Sequence, residues 1–250
     1  MTKIILRGCC GHMGQVITDI VANDADAEIV AGLDIVDNGK CTYPIFDSLA
    51  KVDVEADVVI DFSTPKGVRE LISDAKAKNL PLVLCSTGYT KEEVDFIIES
   101  AKDMTILRSA NMSLGVNTIL KLVQAATQVL ANDFDIEIVE KHHKLKKDAP
   151  SGTALAIADA INEVLNNEYE YVYDRSERSE QRPKKEIGLS AVRGGTIVGE
   201  HEVIFAGRDE VIEIKHTAYS KAIFGKGAVN AAKFLAGKPA GLYNMQDVIG

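Results

Sequence analysis

The stretch "EKHHKLKKDAPSGTALAI", Glu140 to Ile157, sets His142 and His143 side by side among Lys141, Lys144, Lys146 and Lys147. An Ala-rich helical pattern follows. Imidazole exchanges protons near neutral pH, with an ordinary pKa of about 6.5. Neighbouring residues at a strand end diverge, so the two histidines make a poor metal pair. One can face a pocket as proton donor while the other binds an anion. Asp148 or Ser151 can cap the next helix, and Pro150 suits its entry turn. With Ser151 near the cap, the N–H groups of Gly152 and Thr153 face outward at the positive helix end, and Gly152 lets a ligand approach the main chain. Lys146 adds an ammonium beside them. The whole reads as a receptor for an anionic, proton-accepting small molecule, with Lys141 and Lys144 as solvated basic residues.

A second chemical feature is "GCCGHMG", with glycines at Gly8, Gly11 and Gly14. Cys10 stands where the usual G-x-G-x-x-G has its second glycine. A tight turn into a helix N-terminus still exposes backbone N–H groups and a dipole that favours phosphate. Asp34 ends the next strand, where a carboxylate can accept hydrogen bonds from a ribose. It would repel a 2′-phosphate, and Ile35 and Val36 bring no compensating charge. Small polar residues recur at later strand ends: Ser63–Thr64, Ser86–Thr87–Gly88 and Ser109–Ala110–Asn111. Together they suit a long dinucleotide.

Elements must place these groups. "KIILRG", "EIVAGLD", "ADVVIDFS", "LPLVLCST" and "MTILRSAN" read as strands, and helical patterns alternate with them. "PKGVRELISDAKAKN" is expected as a helix with Pro65 in its first turn. Continuous apolar strands separated by helices imply a parallel sheet covered on both faces. The pattern then changes. A long helix over Leu114–Leu130 precedes "FDIEIVEKHH", and "YDRSERSEQRPKKE" reads as a mobile loop. Three β-like runs follow, the last two joined as a hairpin through Gly207–Arg208–Asp209. A final helix is expected around Gly227–Leu235, with "GLYNMQDVIG" returning to the first domain. The fold class is therefore α/β: a Rossmann-like parallel-sheet dinucleotide domain (1–113 and 222–250) and an inserted α+β domain (114–221) with a mixed, largely antiparallel sheet.

The chain has 250 residues, 28 basic against 37 acidic side chains and 46% hydrophobic residues. That composition fits an ordinary globular protein with a sizeable core, and its net negative charge argues against a general nucleic-acid or anionic-membrane binder. "MTKIILRG" is too short in apolar residues for a signal core or a membrane span. The cysteines, Cys9, Cys10, Cys41 and Cys85, form no C-x-x-C pair and read as reduced packing residues of a cytoplasmic protein.

The motif from Glu140 to Ala154 resembles the signature of the 4-hydroxy-tetrahydrodipicolinate (dihydrodipicolinate) reductase family. Further similarity lies in "HMG", "DFSTP", "STGY", "ANMSLGVN", "RGGTIVGEH" and "GLYNMQDVIG". The resemblance implies NADH- or NADPH-dependent reduction of a cyclic dicarboxylate in lysine and diaminopimelate biosynthesis, by a homotetramer. It implies that His142 and Lys146 are proton donors, and that His143, Gly152 and Thr153 hold a substrate carboxylate. It implies cofactor contacts from Gly8, Cys9, Cys10, Gly11, His12, Met13, Asp34, Cys85, Ser86, Thr87, Ser109, Ala110, Asn111 and Met112. The chain departs from the family where His12 and Lys221 replace commoner arginines and where Ile35, not a basic residue, follows Asp34. The first and last of these favour NADH. Rival readings are another nicotinamide-dependent dehydrogenase of an amino-acid intermediate, or a non-catalytic NAD sensor.

Overall fold

The computed structural model describes residues 1–250. The chain forms two compact units, Met1–Leu114 with Lys221–Gly250, and Gly115–Ser220.

The first unit is built on seven parallel strands: β1 (Thr2–Arg7), β2 (Ala27–Leu33), β3 (Ile45–Phe46), β4 (Val58–Asp61), β5 (Leu82–Leu84), β6 (Thr105–Arg108) and β12 (Gly241–Tyr243). Their order is β12-β6-β5-β4-β1-β2-β3. Ile4, Leu6, Val58, Ile60, Val83 and Leu107 face one helical layer, while Ile5, Val59, Leu82, Leu84 and Ile106 face the other. Both faces are covered, which is why these strands lack a polar alternation. Helices α1 (His12–Ala22) and α6 (Ala222–Leu235) supply Ile17, Val21, Val229 and Leu235 to the first layer. Helices α2 (Val68–Ala77) and α3 (Lys91–Ser100) supply Leu71, Ile72 and Ile97 to the second. A short α7 (Met245–Ile249) ends the chain.

Two helix starts differ from the sequence expectation. α2 begins at Val68, leaving Pro65 outside it, because Gly67 at its N-cap takes a left-handed φ of 81°. α6 begins at Ala222 rather than near Gly227. Its internal glycines do not stop it. A Cβ at Gly225 would meet Ile17 and Ile20 of α1, and one at Gly227 would strike the Met112 carbonyl. They permit close packing.

The second unit contains α4 (Leu114–Leu130, beginning at the boundary), β7 (Asp135–His142), α5 (Gly152–Val164), β8 (Glu170–Val172), β9 (Glu186–Arg193), β10 (Gly199–Ala206) and β11 (Val211–Ala218). The sheet order is β11-β10-β7-β9-β8. β10 pairs antiparallel with β11 and β7, whereas β7–β9 and β8–β9 are parallel. Two of the four strand pairings are thus antiparallel and two parallel, so the sheet is mixed. Ile136, Ile138, Leu189, Val203 and Phe205 pack against Ile119 and Val123 of α4 and Ile157 and Ile161 of α5. The arginine-rich segment before β9 is anchored: Arg175 and Arg178 pair with Glu186, and Arg182 pairs with Asp135 and Glu137.

Candidate active site

The first cluster lies at the carboxyl edge of the seven-stranded sheet. β1 pairs with β2 on one side and β4 on the other, so strand order reverses there and a crevice opens at the strand ends. A cleft of about 600 Å³ is lined by Gly8, Cys10, Gly11, Asp34, Ile35, Ser63, Thr64 and their neighbours. Gly8 has φ 81°, and a Cβ on it would sit 2.8 Å from the Phe62 carbonyl oxygen. At Gly14 a Cβ would lie 2.6 Å from the Cys9 Cα, so glycine lets α1 begin hard against the loop. Gly11 caps α1 without a side-chain bond. The first-turn N–H groups thus have no capping side chain of their own, as an anion cradle requires.

Asp34 is oriented by two backbone donors: the Cys10 N–H to Oδ2 at 2.9 Å and the Ile35 N–H to Oδ1 at 2.8 Å. Beside it Ile35 is 92% exposed, an apolar rim on the cleft. Arg7 also lines the cleft, but its guanidinium is committed to Asp61 at 3.1 Å and to the Lys66 carbonyl at 2.9 Å. Burial raises the Asp61 pKa, with Arg7 and Ser63 opposing it. This cradle suits a dinucleotide: close backbone approach at Gly8, free helix-start amides, and an oriented ribose acceptor in Asp34.

The remaining expected contacts divide by depth. His12 is exposed at the first position of α1. Met13 is partly buried in the same turn. Cys9, Cys85 and Met112 have core side chains, leaving only their backbones to meet a dinucleotide. Ser86 is buried and Thr87 exposed after β5. After β6, Ser109 donates its hydroxyl to the Asn111 carbonyl at 3.0 Å, Ala110 is exposed, and the Asn111 side chain accepts from the Ser113 N–H at 2.9 Å.

The second cluster belongs to the other unit. β7 alternates, and Ile136, Ile138 and Glu140 all point inward. Glu140 is 1% exposed and carries a carboxylate into that layer. Arg193 grips it with two nitrogens, at 2.6 and 2.7 Å, and the Ser151 N–H donates to Oε1 at 2.9 Å. His142, two residues on, brings Nδ1 to 2.6 Å from Oε2. Burial pushes the Glu140 pKa up, but Arg193, His142 and the Ser151 amide outweigh it and hold the group below the ordinary carboxylate range. An ionised Glu140 accepts the His142 Nδ1–H, leaving Nε2 as the nitrogen free to exchange a proton.

His201 packs edge-on to His142 with ring centroids 5.2 Å apart, and its Nε2 lies 2.8 Å from Ser151 Oγ. Burial, aided by His142, pushes its pKa down to about 4, so His201 is neutral near pH 7. Ser151 caps α5, accepting from the Ala154 N–H at 3.2 Å. That resolves the choice of cap residue in favour of Ser151. Nothing crowds the position of a Cβ on Gly152, so the approach to the α5 N-terminus is open. Lys146 pairs with Asp148 at 2.9 Å. The Asp148 pKa is held low first by Lys146, and the Gly152 N–H contributes as well. This end of α5 already attracts a carboxylate of the chain itself. His143 lies beyond the strand and is exposed, while His142 is largely buried, so the two imidazoles do diverge.

Sequence reasoning passed over Glu140, Arg193 and His201. A signal for Glu140 was present: an acid on the inward parity of an otherwise apolar strand face. Arg193 and His201 come from other strands, and only sheet pairing brings them to it.

Comparison with known proteins shows the family and the fold. The family model for the N-terminus of dihydrodipicolinate reductase matches residues 2–112, and that for its C-terminus matches residues 115–249. A 4-hydroxy-tetrahydrodipicolinate reductase of Caldanaerobacter subterraneus subsp. tengcongensis is 51% identical over 249 residues, covering 100% of this chain and 98% of that protein. One from Clostridium tetani is 51% identical over 245 residues, covering 98% and 96%. Among solved structures, a dipicolinate-bound dihydrodipicolinate reductase from Paenisporosarcina sp. TG-14 aligns with a TM-score of 0.83 at 25% identity, over 99% of each chain. With its glycine cradle in one unit, its imidazole–lysine cluster in the other, and family models matching nearly end to end, this chain belongs to the dihydrodipicolinate reductase family.

Proposed function

We propose that this protein is an NAD(P)H-dependent oxidoreductase that reduces 4-hydroxy-tetrahydrodipicolinate to tetrahydrodipicolinate in lysine and diaminopimelate biosynthesis. The observation that carries the reading is the Glu140–His142 pair, followed by Lys146 in the segment that leads to the open N-terminus of α5, in a chain of this family. The first unit holds the nucleotide through Gly8, Cys10, Gly11 and the carboxylate of Asp34. The 4-hydroxyl of the substrate leaves as water, and the reduced nicotinamide, when bound, would supply a hydride to the conjugated ring carbon that this loss creates.

The second unit handles charge. His143 and the amides of Gly152 and Thr153 hold the substrate carboxylates, and the bound dipicolinate of the Paenisporosarcina relative supports a planar dicarboxylate as the ligand class. Negative charge develops on the ring as hydride arrives. His142 donates from Nε2 while Glu140 keeps the imidazole in the required tautomer, and Lys146 stabilises the charge or relays a proton. General acid catalysis of this kind is worth about 10²–10⁴-fold. The domain roles follow: residues 1–113 and 222–250 bind the dinucleotide, and 114–221 bind substrate and form the oligomer contact.

NADH is the preferred cofactor in this reading, because Asp34 is flanked by exposed Ile35 and Val36 and the Arg7 cation is already paired. A cytoplasmic homotetramer assembled through the second unit's sheet fits the exposed Val211 and Ile212 on its edge strand. The test is a His142→Ala protein supplied with each ligand in turn. It should bind NADH and dipicolinate normally yet lose about 10²-fold or more in kcat. Full turnover in that variant would contradict the assignment. NADH oxidation that proceeds only with substrate present separates the enzyme from a sensor.

A further inference from the structure

Cys9, Cys10 and Cys41 bring their sulfurs together, all three within 4.8 Å of one another. Cys9 and Cys10 come from the glycine loop, and Cys41 from the segment between β2 and β3. Their Sγ atoms begin this contact at 3.9 Å between Cys9 and Cys10, and all are free thiols. We propose that these three thiols form a binding site for a thiophilic divalent d10 cation, Zn²⁺ in its simplest form, which fastens the glycine loop to the Cys41 segment.

The geometry is close to what such an ion needs. With Zn–S bonds of about 2.3 Å, three sulfurs around one ion stand about 4 Å apart. The observed spacing requires closure of less than about 1 Å. Room for the buried sulfur is built in: a Cβ on Gly32 would lie 2.6 Å from Cys9 Sγ. Gln15 acts as an outer support, donating Nε2 to the Cys9 carbonyl at 2.9 Å and to Cys41 Sγ at 3.6 Å. Such donors orient thiolate ligands and disperse their charge. Cys10 and Cys41 are only partly buried, which leaves an entry path and a position for water as fourth ligand.

Charge selects the ion. Three thiolates on a divalent cation leave one net negative charge, whereas a monovalent cation would leave two. Asp34 lies close by, tied to the Cys10 N–H, so the smaller excess is favoured. Binding releases a proton from each thiol as its sulfur–metal bond forms, so affinity rises with pH. None of this draws on the cluster around His142.

The experiment titrates the reduced full-length protein anaerobically with Cd²⁺, reading the sulfur-to-metal charge-transfer band, and then displaces Cd²⁺ with Zn²⁺. One ion per chain is expected, with Zn²⁺ raising the melting temperature. Cys41→Ser, which changes no residue assigned to the cofactor or substrate, should weaken binding at least tenfold and abolish the melting shift while NADH turnover persists. Cys85→Ser should leave the Cd²⁺ stoichiometry unchanged. Absence of the band, or a band equally strong in Cys41→Ser, overturns the proposal. If Cys41→Ser fails to fold, Cys10→Ser read by the same band decides the matter. Because metal binding is measured without turnover, its failure leaves the reductase reading untouched.

Discussion

At the residue scale the decisive group is Glu140. Its carboxylate is fully enclosed, gripped by Arg193, and turned on His142 Nδ1. A hydrogen bond to a charged group is worth about 1.5–3 kcal/mol, or roughly 10- to 100-fold in rate if it is needed in the transition state. Glu140→Gln should therefore lower kcat by about that factor while changing the KM for NADH little, because the proposed cofactor contacts lie in other residues. Steady-state kinetics with a melting curve checks this; a fall in NADH affinity of the same size would indicate general damage instead. His201 makes a separate prediction. Its folded pKa is about 4 against an ordinary 6.5, so between those values the unfolded chain binds more protons and stability falls as pH falls. His201, Glu140, His142, His216 and Lys146 all contribute to the local field. The His201 contribution is present above pH 6.5 and is lost toward pH 4, at most about 3 kcal/mol in all. Urea unfolding of His201→Gln across that window should show a flatter acid slope than the parent protein.

At the scale of elements, α1 depends on one missing methyl group. Gly14 sits in its first turn, and a Cβ there would collide with the Gly8 carbonyl and the Cys9 backbone. These are main-chain atoms and cannot rotate aside. Gly14→Ala should push the helix off the loop, destabilise the protein by roughly 2 kcal/mol or more, and raise the Kd for NADH. Isothermal titration together with urea unfolding would check both effects. The β1–β4 junction carries another dependence. Arg7 is the salt-bridge partner of Asp61, which has no exposed surface. Removing the cation leaves a buried charge, so Arg7→Ala should cost about 3 kcal/mol, whereas Asp61→Asn should cost less. Chemical denaturation of the two variants compares them directly.

For the whole molecule, the division into two units separates two kinds of chemistry. The parallel sheet aligns the ends of successive strands on one edge, so short polar segments far apart in sequence share one rim. The mixed sheet instead crosses β7 with β9 and β10, so an acid, an imidazole and a guanidinium from three strands meet. In the proposed function, cofactor choice is a property of the first unit. Repulsion between Asp34 and a 2′-phosphate should make kcat/KM for NADH about tenfold higher than for NADPH, equivalent to roughly 1–2 kcal/mol. Parallel assays with the two cofactors measure that ratio, and parity would remove the preference.

The sequence alone carried the alternation of strand and helix, the insertion of a second unit, and the Gly8, Asp34, His142 and Gly152 landmarks. Those features are local: hydrophobic period, turn chemistry and helix capping act over a few residues, and they can be read in chain order. Helix starts were less legible, because Gly67, Gly225 and Gly227 can end a helix, cap it or let it pack closely, and the choice lies with neighbours such as Met112. Only tertiary structure decided that Arg193 and His201 join Glu140 and that Cys41 meets Cys9 and Cys10. Those encounters depend on strand order and loop path, which bring together residues with no local periodicity in common.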